Sequence, residues 1–291
     1  MRASGRGLVS ILGVAVMALV LAHGGACASD APLTKAPDGR RLVLTFSDDF
    51  DRLSLADPRR PGSGVWRTTF GASPAPTLDN RTLKSNGELQ LYVDPALADG
   101  QGRALGLQPF AVHDGVLDIR GDRAAPAVQP ALGGYGYTSG LLTTQPSFAQ
   151  TYGYFEARVK LPRGKGLWPA VWLLPTDQSW PPEIDVMESI GDPSSAVITI
   201  HTKAYPTKGV EVHPAGDGFH TFAVEWDAKQ VVSYLDGVET SRASTPPDMN
   251  KPMYFLLNLA IGGNWPGAPD AETPFPAVFS VDYVRAYKFA D

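Results

Sequence analysis

Cysteine is nearly missing: one, Cys27, in 291 residues. It sits in a segment with the marks of a removable leader, so no disulfide framework is available and the fold must be held by burial alone. Charge is sparse at 19% of residues, with a net of -5. Arg2 and Arg6 precede an apolar run over 8–22, and Ala26-Cys27-Ala28 matches a small-residue cleavage site, so residues 1–28 read as a secretory signal peptide. Acylation of Cys27 is the alternative, although Gly24 sits where such motifs usually want a larger aliphatic residue. The run is too short for a comfortable membrane span, and no span is expected after its removal. Loss of Arg2 and Arg6 leaves 23 basic residues against 30 acidic, a mature charge of -7, which argues against nucleic acid as a partner. Internal repeats, low-complexity tracts and amphipathic helices longer than a couple of turns are also missing.

What is present is 43% hydrophobic residues, 30 Gly and 26 Pro. After a polar arm at 29–41, strand-like runs fall at 42–46, 89–93, 116–120, 139–143, 152–161, 171–174, 183–188, 196–201, 219–226, 231–235, 253–260 and 278–287. Phe155, Ala157, Val159 and Leu161 alternate with Tyr154, Glu156, Arg158 and Lys160, a half-buried strand with a polar face. Asp227 to Lys229 and Asp236-Gly237 read as hairpin turns, the second of type I′. A dozen short strands with Gly and Pro punctuation and no βαβ alternation predict an all-β, antiparallel jelly-roll sandwich, with 42–291 as a single domain.

The stretch 183–188, E-I-D-V-M-E, puts three carboxylates in an apolar strand. Period-two alternation gives Glu183 and Asp185 one face and Glu188 the other. One extra residue between Asp185 and Glu188, taken up as a β-bulge, brings all three to one surface. A solvent-facing acidic strand is the bland reading. Against it stand Trp168, Trp172, Trp180 and Trp265, four of the six tryptophans, gathered around two loops near the acids. Aromatic faces stack on sugar rings while carboxylates and amides bond hydroxyls, which is the composition of a saccharide cleft. Trp168 and Trp172, at offset four, share a strand face, and one of them could simply fill the core. Two carboxyl groups flanking a glycosidic bond serve hydrolysis, and an intervening acid splits their pKa values.

These residues resemble glycoside hydrolase family 16, the retaining endo-β-glycanases, in the longer E-x-D-x-x-E form. Further segments fall in family order: Tyr152-Gly153-Tyr154-Phe155-Glu156-Ala157-Arg158, the W-P-A-V-W-L-L-P run at 168–175, N-L-A-I-G-G at 258–263 with Trp265-Pro266-Gly267, and V-D-Y-V-R at 281–285. The resemblance implies a concanavalin A-like sandwich with a concave cleft. It implies Glu183 as nucleophile, Asp185 as its electrostatic partner and Glu188 as acid/base, with Trp168 and Trp172 near the cleaved bond and Trp265 as a stacking platform. His201 resembles the family histidine near the acid/base; a histidine bonded within a polar patch reads equally well. Asn86 and Arg158 are candidates for sugar contacts, and Arg158 could instead pair structurally with a carboxylate. No cofactor is implied for catalysis, whereas a structural calcium is, on the Asp282 side chain with backbone carbonyls near Asp49 and Gly87. The segment 81–95 is similar to members that trim bacterial exopolysaccharides through β-1,3 or β-1,4 linkages. The expected protein is a secreted or periplasmic monomer acting on a polysaccharide. A glycan-binding sandwich without catalysis would lack a carboxyl at 183 or 188, and both are intact; a transglycosylase stays open.

Overall fold

In a computed structural model the described residues are 31–290; the predicted signal peptide and Cys27 lie outside them. Two sheets face each other. The larger runs β14 (Val238–Ser244), β13 (Gln230–Leu235), β12 (His220–Trp226), β7 (Gly153–Lys160), β16 (Ala277–Phe289), β4 (Val116–Arg123), β5 (Tyr137–Ser139), β2 (Gln90–Tyr92), with β1 (Leu42–Asp48) paired to β16 and β3 (Phe110–His113) to β4. The smaller, cleft-bearing sheet runs β11 (Lys208–Val212), β10 (Ala196–His201), β9 (Glu183–Glu188), β8 (Leu167–Pro175), β15 (Met253–Ile261), β6 (Leu141–Thr143). Pairing is antiparallel except between β2 and β5. No helix of the described residues is long and apolar enough to cross a membrane.

Alternation builds the sandwich. Phe155, Ala157 and Val159 of β7 and Leu167, Val171 and Leu173 of β8 point between the sheets and are fully buried, in one cluster with Ile184, Val186, Met187, Phe255 and Leu257. Each of these side chains larger than alanine contributes about 1.5–3 kcal/mol. The opposite faces differ from expectation. Tyr154 and Glu156, expected on a polar solvent face, are both 2% exposed, because residues 31–41 fold down over them. Leu33 N–H donates to the Tyr287 hydroxyl, which donates to Glu156, and Arg40 pairs with Glu225 and Asp227. The arm is thus a clasp on the outer sheet.

Asp236 and Gly237 both have positive φ, 50° and 76°, the backbone a type I′ turn requires. The run expected at 139–143 divides at Gly140 between the two sheets. A side chain there is excluded, since a Cβ would lie 2.5 Å from the Phe110 ring. β3, β11 and β14 were not expected. β11 and β14 are edge strands with mostly exposed or half-exposed residues, so they carry little of the hydrophobic periodicity that marks a strand.

Candidate active site

β9 is irregular where the acids require it. Against β8, Trp172 pairs with Asp185 and Val171 with Met187, leaving Val186 unmatched. Against β10, Asp185 pairs with Thr199 and Glu188 with Val197, so Val186 and Met187 together oppose Ile198. This is a β-bulge. Val186 and Met187 both enter the core, fully buried, and Glu183, Asp185 and Glu188 all line one cleft of about 790 Å3 on the open face of the smaller sheet.

Tryptophan sets the geometry around each acid. Trp168 and Trp172 stand on the cleft face of β8 while Leu167, Val171 and Leu173 face inward. The Trp168 indole N–H donates to Glu188 Oε1 at 2.9 Å, and that of Trp180 donates to Glu183 Oε2. Trp172 is 7% exposed, so it both packs and lines the cleft. Its N–H donates to Asn258 Oδ1 at 2.7 Å, and Asn258 Nδ2 donates to the Tyr92 hydroxyl at 3.0 Å. Trp265 meets Trp168 edge-on, with centroids 5.6 Å apart. The loop beneath them passes Gly263, whose φ of 137° and 3.0 Å approach to the Trp168 ring leave no room for a side chain. Asn86 lies in the same half, its carbonyl accepting from Asn264 N–H at 2.7 Å.

His201 lies opposite Glu183 across the β9–β10 pair, not beside Glu188 as expected. Its Nε2 is 3.0 Å from Asp185 Oδ2, in contact but not aligned as a hydrogen bond, and its Nδ1 is 3.1 Å from the Thr207 hydroxyl. Glu183, Asp185 and His201 are the group of potential metal ligands among the described residues, with one atom of each within 4.8 Å of the others. Three carboxyls side by side in a largely buried cluster cannot all ionise. Burial, and then Glu183, push Glu188 up to about 7, with the Trp168 N–H opposing. Burial and Asp185 raise Glu183, opposed by His201 and the Trp180 N–H; burial and Glu188 raise Asp185, opposed by its bond to Glu183. One proton shared by Glu183 and Asp185 follows, and the pair carries one negative charge between them.

For Arg158 the structural alternative holds, and the expected calcium set fails. Arg158 is on β7 of the larger sheet, bonded to Asp282 Oδ2 at 2.5 Å and lying over Phe219, away from the cleft. The calcium set does not assemble. The Asp282 side chain, the one carboxylate of the expected set, is taken by Arg158. Gly87 lies against Asn264 beside the cleft, whereas a glycine that packs on the Asp49 carbonyl is Gly115, where a Cβ would lie 3.7 Å from that oxygen. Calcium takes six to eight oxygens, which these three residues do not gather. Sequence reasoning passed over Trp180 as a hydrogen-bond donor, and Asn258, Tyr92 and Glu88 as cleft residues. The spacing of Glu88, Gln90 and Tyr92 carried a signal, since period two puts all three on one face.

A jelly-roll sandwich with three acids under a tryptophan-walled groove on its open sheet defines a glycan-acting class. The chain belongs to the glycosyl hydrolases family 16, whose model matches residues 82–285. It is 44% identical to endo-1,3-1,4-beta-glycanase ExsH of Rhizobium meliloti (strain 1021) over 84% of this chain and 52% of that protein. The figures for endo-1,3-1,4-beta-glycanase EglC of the same organism are 44%, 87% and 53%. The chain therefore spans about half the length of these curated relatives. Among solved structures, the endo-beta-1,3-glucanase of Pyrococcus furiosus superposes with a TM-score of 0.70 at 30% identity, covering 89% of this chain and 99% of that one.

Proposed function

We propose that the chain is a retaining endo-β-glycanase that hydrolyses internal β-1,3 or β-1,4 glucosidic linkages of a β-glucan or bacterial exopolysaccharide. The single observation carrying this is the bulge at Val186, which delivers Glu188 to the face of Glu183 and Asp185. Glu183 attacks the anomeric carbon as the bond to the leaving oxygen breaks, and the Glu188 proton passes to that oxygen. Glu188, now a carboxylate, takes a proton from water, whose oxygen displaces Glu183 and restores both groups. Asp185 and the Trp180 N–H hold Glu183 in place, and Trp168 orients Glu188. Trp172, Trp265 and Asn86 form the sugar platforms, and His201 positions Asp185. The family needs no cofactor for this chemistry. The leader at 1–28 supports export to the periplasm or medium, and we propose action as a monomer.

The test is release of reducing ends from lichenan, laminarin and an acidic exopolysaccharide, with proton NMR of the first-formed product. The expected product is the β-anomer, and Glu183→Gln lowers turnover at least about 1,000-fold. A wild-type protein that binds these polymers, releases no ends and behaves like Glu183→Gln would be a binding module.

A further inference from the structure

The acids of β9 are not the only carboxyls in the cleft. Glu88, just before β2, lines the half that holds Asn86 and Trp265 and is 7% exposed. It has no part in the chemistry above. Its Oε2 accepts from Leu83 N–H at 3.1 Å and Gln90 Nε2 at 2.7 Å, with the Thr82 hydroxyl at 3.5 Å. Gln90 in turn accepts from Ile261 N–H at 2.7 Å. A buried carboxylate is costly to keep unless such donors surround it; here burial raises its pKa and the donors oppose the rise.

The complementary observation is the sign of the lining. Among the described residues, 27 line the cleft; four carry carboxyl groups and none is Lys or Arg. Of the basic side chains near the lining, Lys84 is engaged by Asp79, Lys251 by Asp177 and the Ser179 hydroxyl, and Arg67 by the Gly71 carbonyl. Lys203 and Lys208 are exposed, and neither is among the lining residues. The imidazole of His201 is the one lining group able to carry positive charge, and it faces Asp185.

We propose that the cleft admits only sugars free of anionic substituents, and that Glu88 is the specificity-determining residue that enforces this in the Asn86–Trp265 half. The inference rests on the glycanase reading and narrows its substrate to an uncharged stretch of chain, with any sulfate, carboxylate or acidic ester confined to sugars outside the cleft. Carboxylates accept hydroxyl protons from a neutral sugar. An anion brought into the same groove meets Glu88 and the negative charge kept by the Glu183–Asp185 pair, with no Lys or Arg among the described lining residues to offset them. The discrimination expected is at least about 100-fold in affinity, since like-charge contact in an interface is worth two or more powers of ten.

Calorimetry with the Glu183→Gln protein compares a neutral mixed-linkage oligosaccharide with the same oligosaccharide carrying one sulfate. The expected result is at least 100-fold weaker binding of the sulfated form, and recovery of about tenfold when Glu88→Gln is added and the sulfate lies on the sugar held in the Asn86–Trp265 half. In parallel, wild-type enzyme digests partly sulfated lichenan and the new ends are mapped by mass spectrometry, with sulfate expected to be missing from sugars flanking each cut. Equal affinity within threefold, or sulfated sugars at the new ends, overturns the proposal. Unchanged discrimination in folded Glu88→Gln protein overturns the assignment to Glu88; should that variant not fold, Glu88→Asp, which keeps the charge and shortens its reach, is expected to retain the discrimination. If the wild type releases no ends at all, the hydrolytic reading fails, while the affinity comparison still decides the selection against charge.

Discussion

Replacing Glu188 by glutamine is expected to remove activity and raise stability, and the second effect has a defined pH signature. In the folded protein this carboxyl is pushed up to about 7 from an ordinary value of 4.5. Between those values the folded state holds a proton that the unfolded chain has released, so stability falls as pH rises through the window and is level above it. Each pKa unit corresponds to 1.36 kcal/mol, which sets an upper figure of about 3 kcal/mol; Glu188 keeps partial contact with solvent, so about 1–3 kcal/mol is expected. Glutamine does not titrate and still accepts the Trp168 N–H. For a domain of this size 1 kcal/mol moves Tm by roughly 2–4 °C. Thermal melts from pH 4 to 9 should show Glu188→Gln drawing ahead of the wild type from about pH 4.5 and reaching a constant lead of roughly 3–10 °C above pH 7, with turnover lowered about 100- to 10,000-fold. A lead that shrinks as pH rises, or a variant less stable than the wild type at pH 8, would refute the assignment of burial as the cause of the shift.

Other consequences are as direct. Turnover should decline above about pH 7 as Glu188 loses the proton it must donate, and decline again in acid as the Glu183–Asp185 pair takes up its second proton; a kcat/KM profile still rising at pH 9 contradicts this. Trp172→Phe leaves Asn258 Oδ1 without its indole donor at 5% exposure and should cost about 1–3 kcal/mol in denaturant melts, against little change if that bond is incidental. Trp265→Ala, removing a 42% exposed platform, should raise KM roughly threefold to tenfold with kcat nearly intact. Deleting Met187 leaves E-I-D-V-E, whose acids share a face by plain alternation. Measurable turnover should survive at a stability cost of about 2–5 kcal/mol for the lost core side chain, and a folded but inert deletion protein would count against the bulge as the reason for Glu188's position.

Alternation along a strand is legible in sequence, but which sheet the strand joins is not. Arg158 illustrates the limit. Period two correctly sets it opposite Phe155, Ala157 and Val159, yet nothing local says that β7 belongs to the larger sheet, where that face meets Asp282 and the clasp instead of sugar. Gly87 fails for the same reason, since its neighbour Asn264 is 177 residues away in sequence. Glu88, Tyr92 and Asn258 come together through contacts no local pattern encodes: Asn258 donates to the Tyr92 hydroxyl, the Ile261 N–H to Gln90, and the Leu89 N–H to the Ile261 carbonyl. The catalytic strand escapes this limit because its signal is a violation of its own period. Ile184 fixes which face of β9 is the core. Val186 obeys that alternation and Met187 breaks it, and two consecutive apolar residues can both be buried only if the strand gains one residue there. Burying that pair is what turns Glu188 towards Glu183 and Asp185, so the same local irregularity completes the core on one face and the acid cluster on the other.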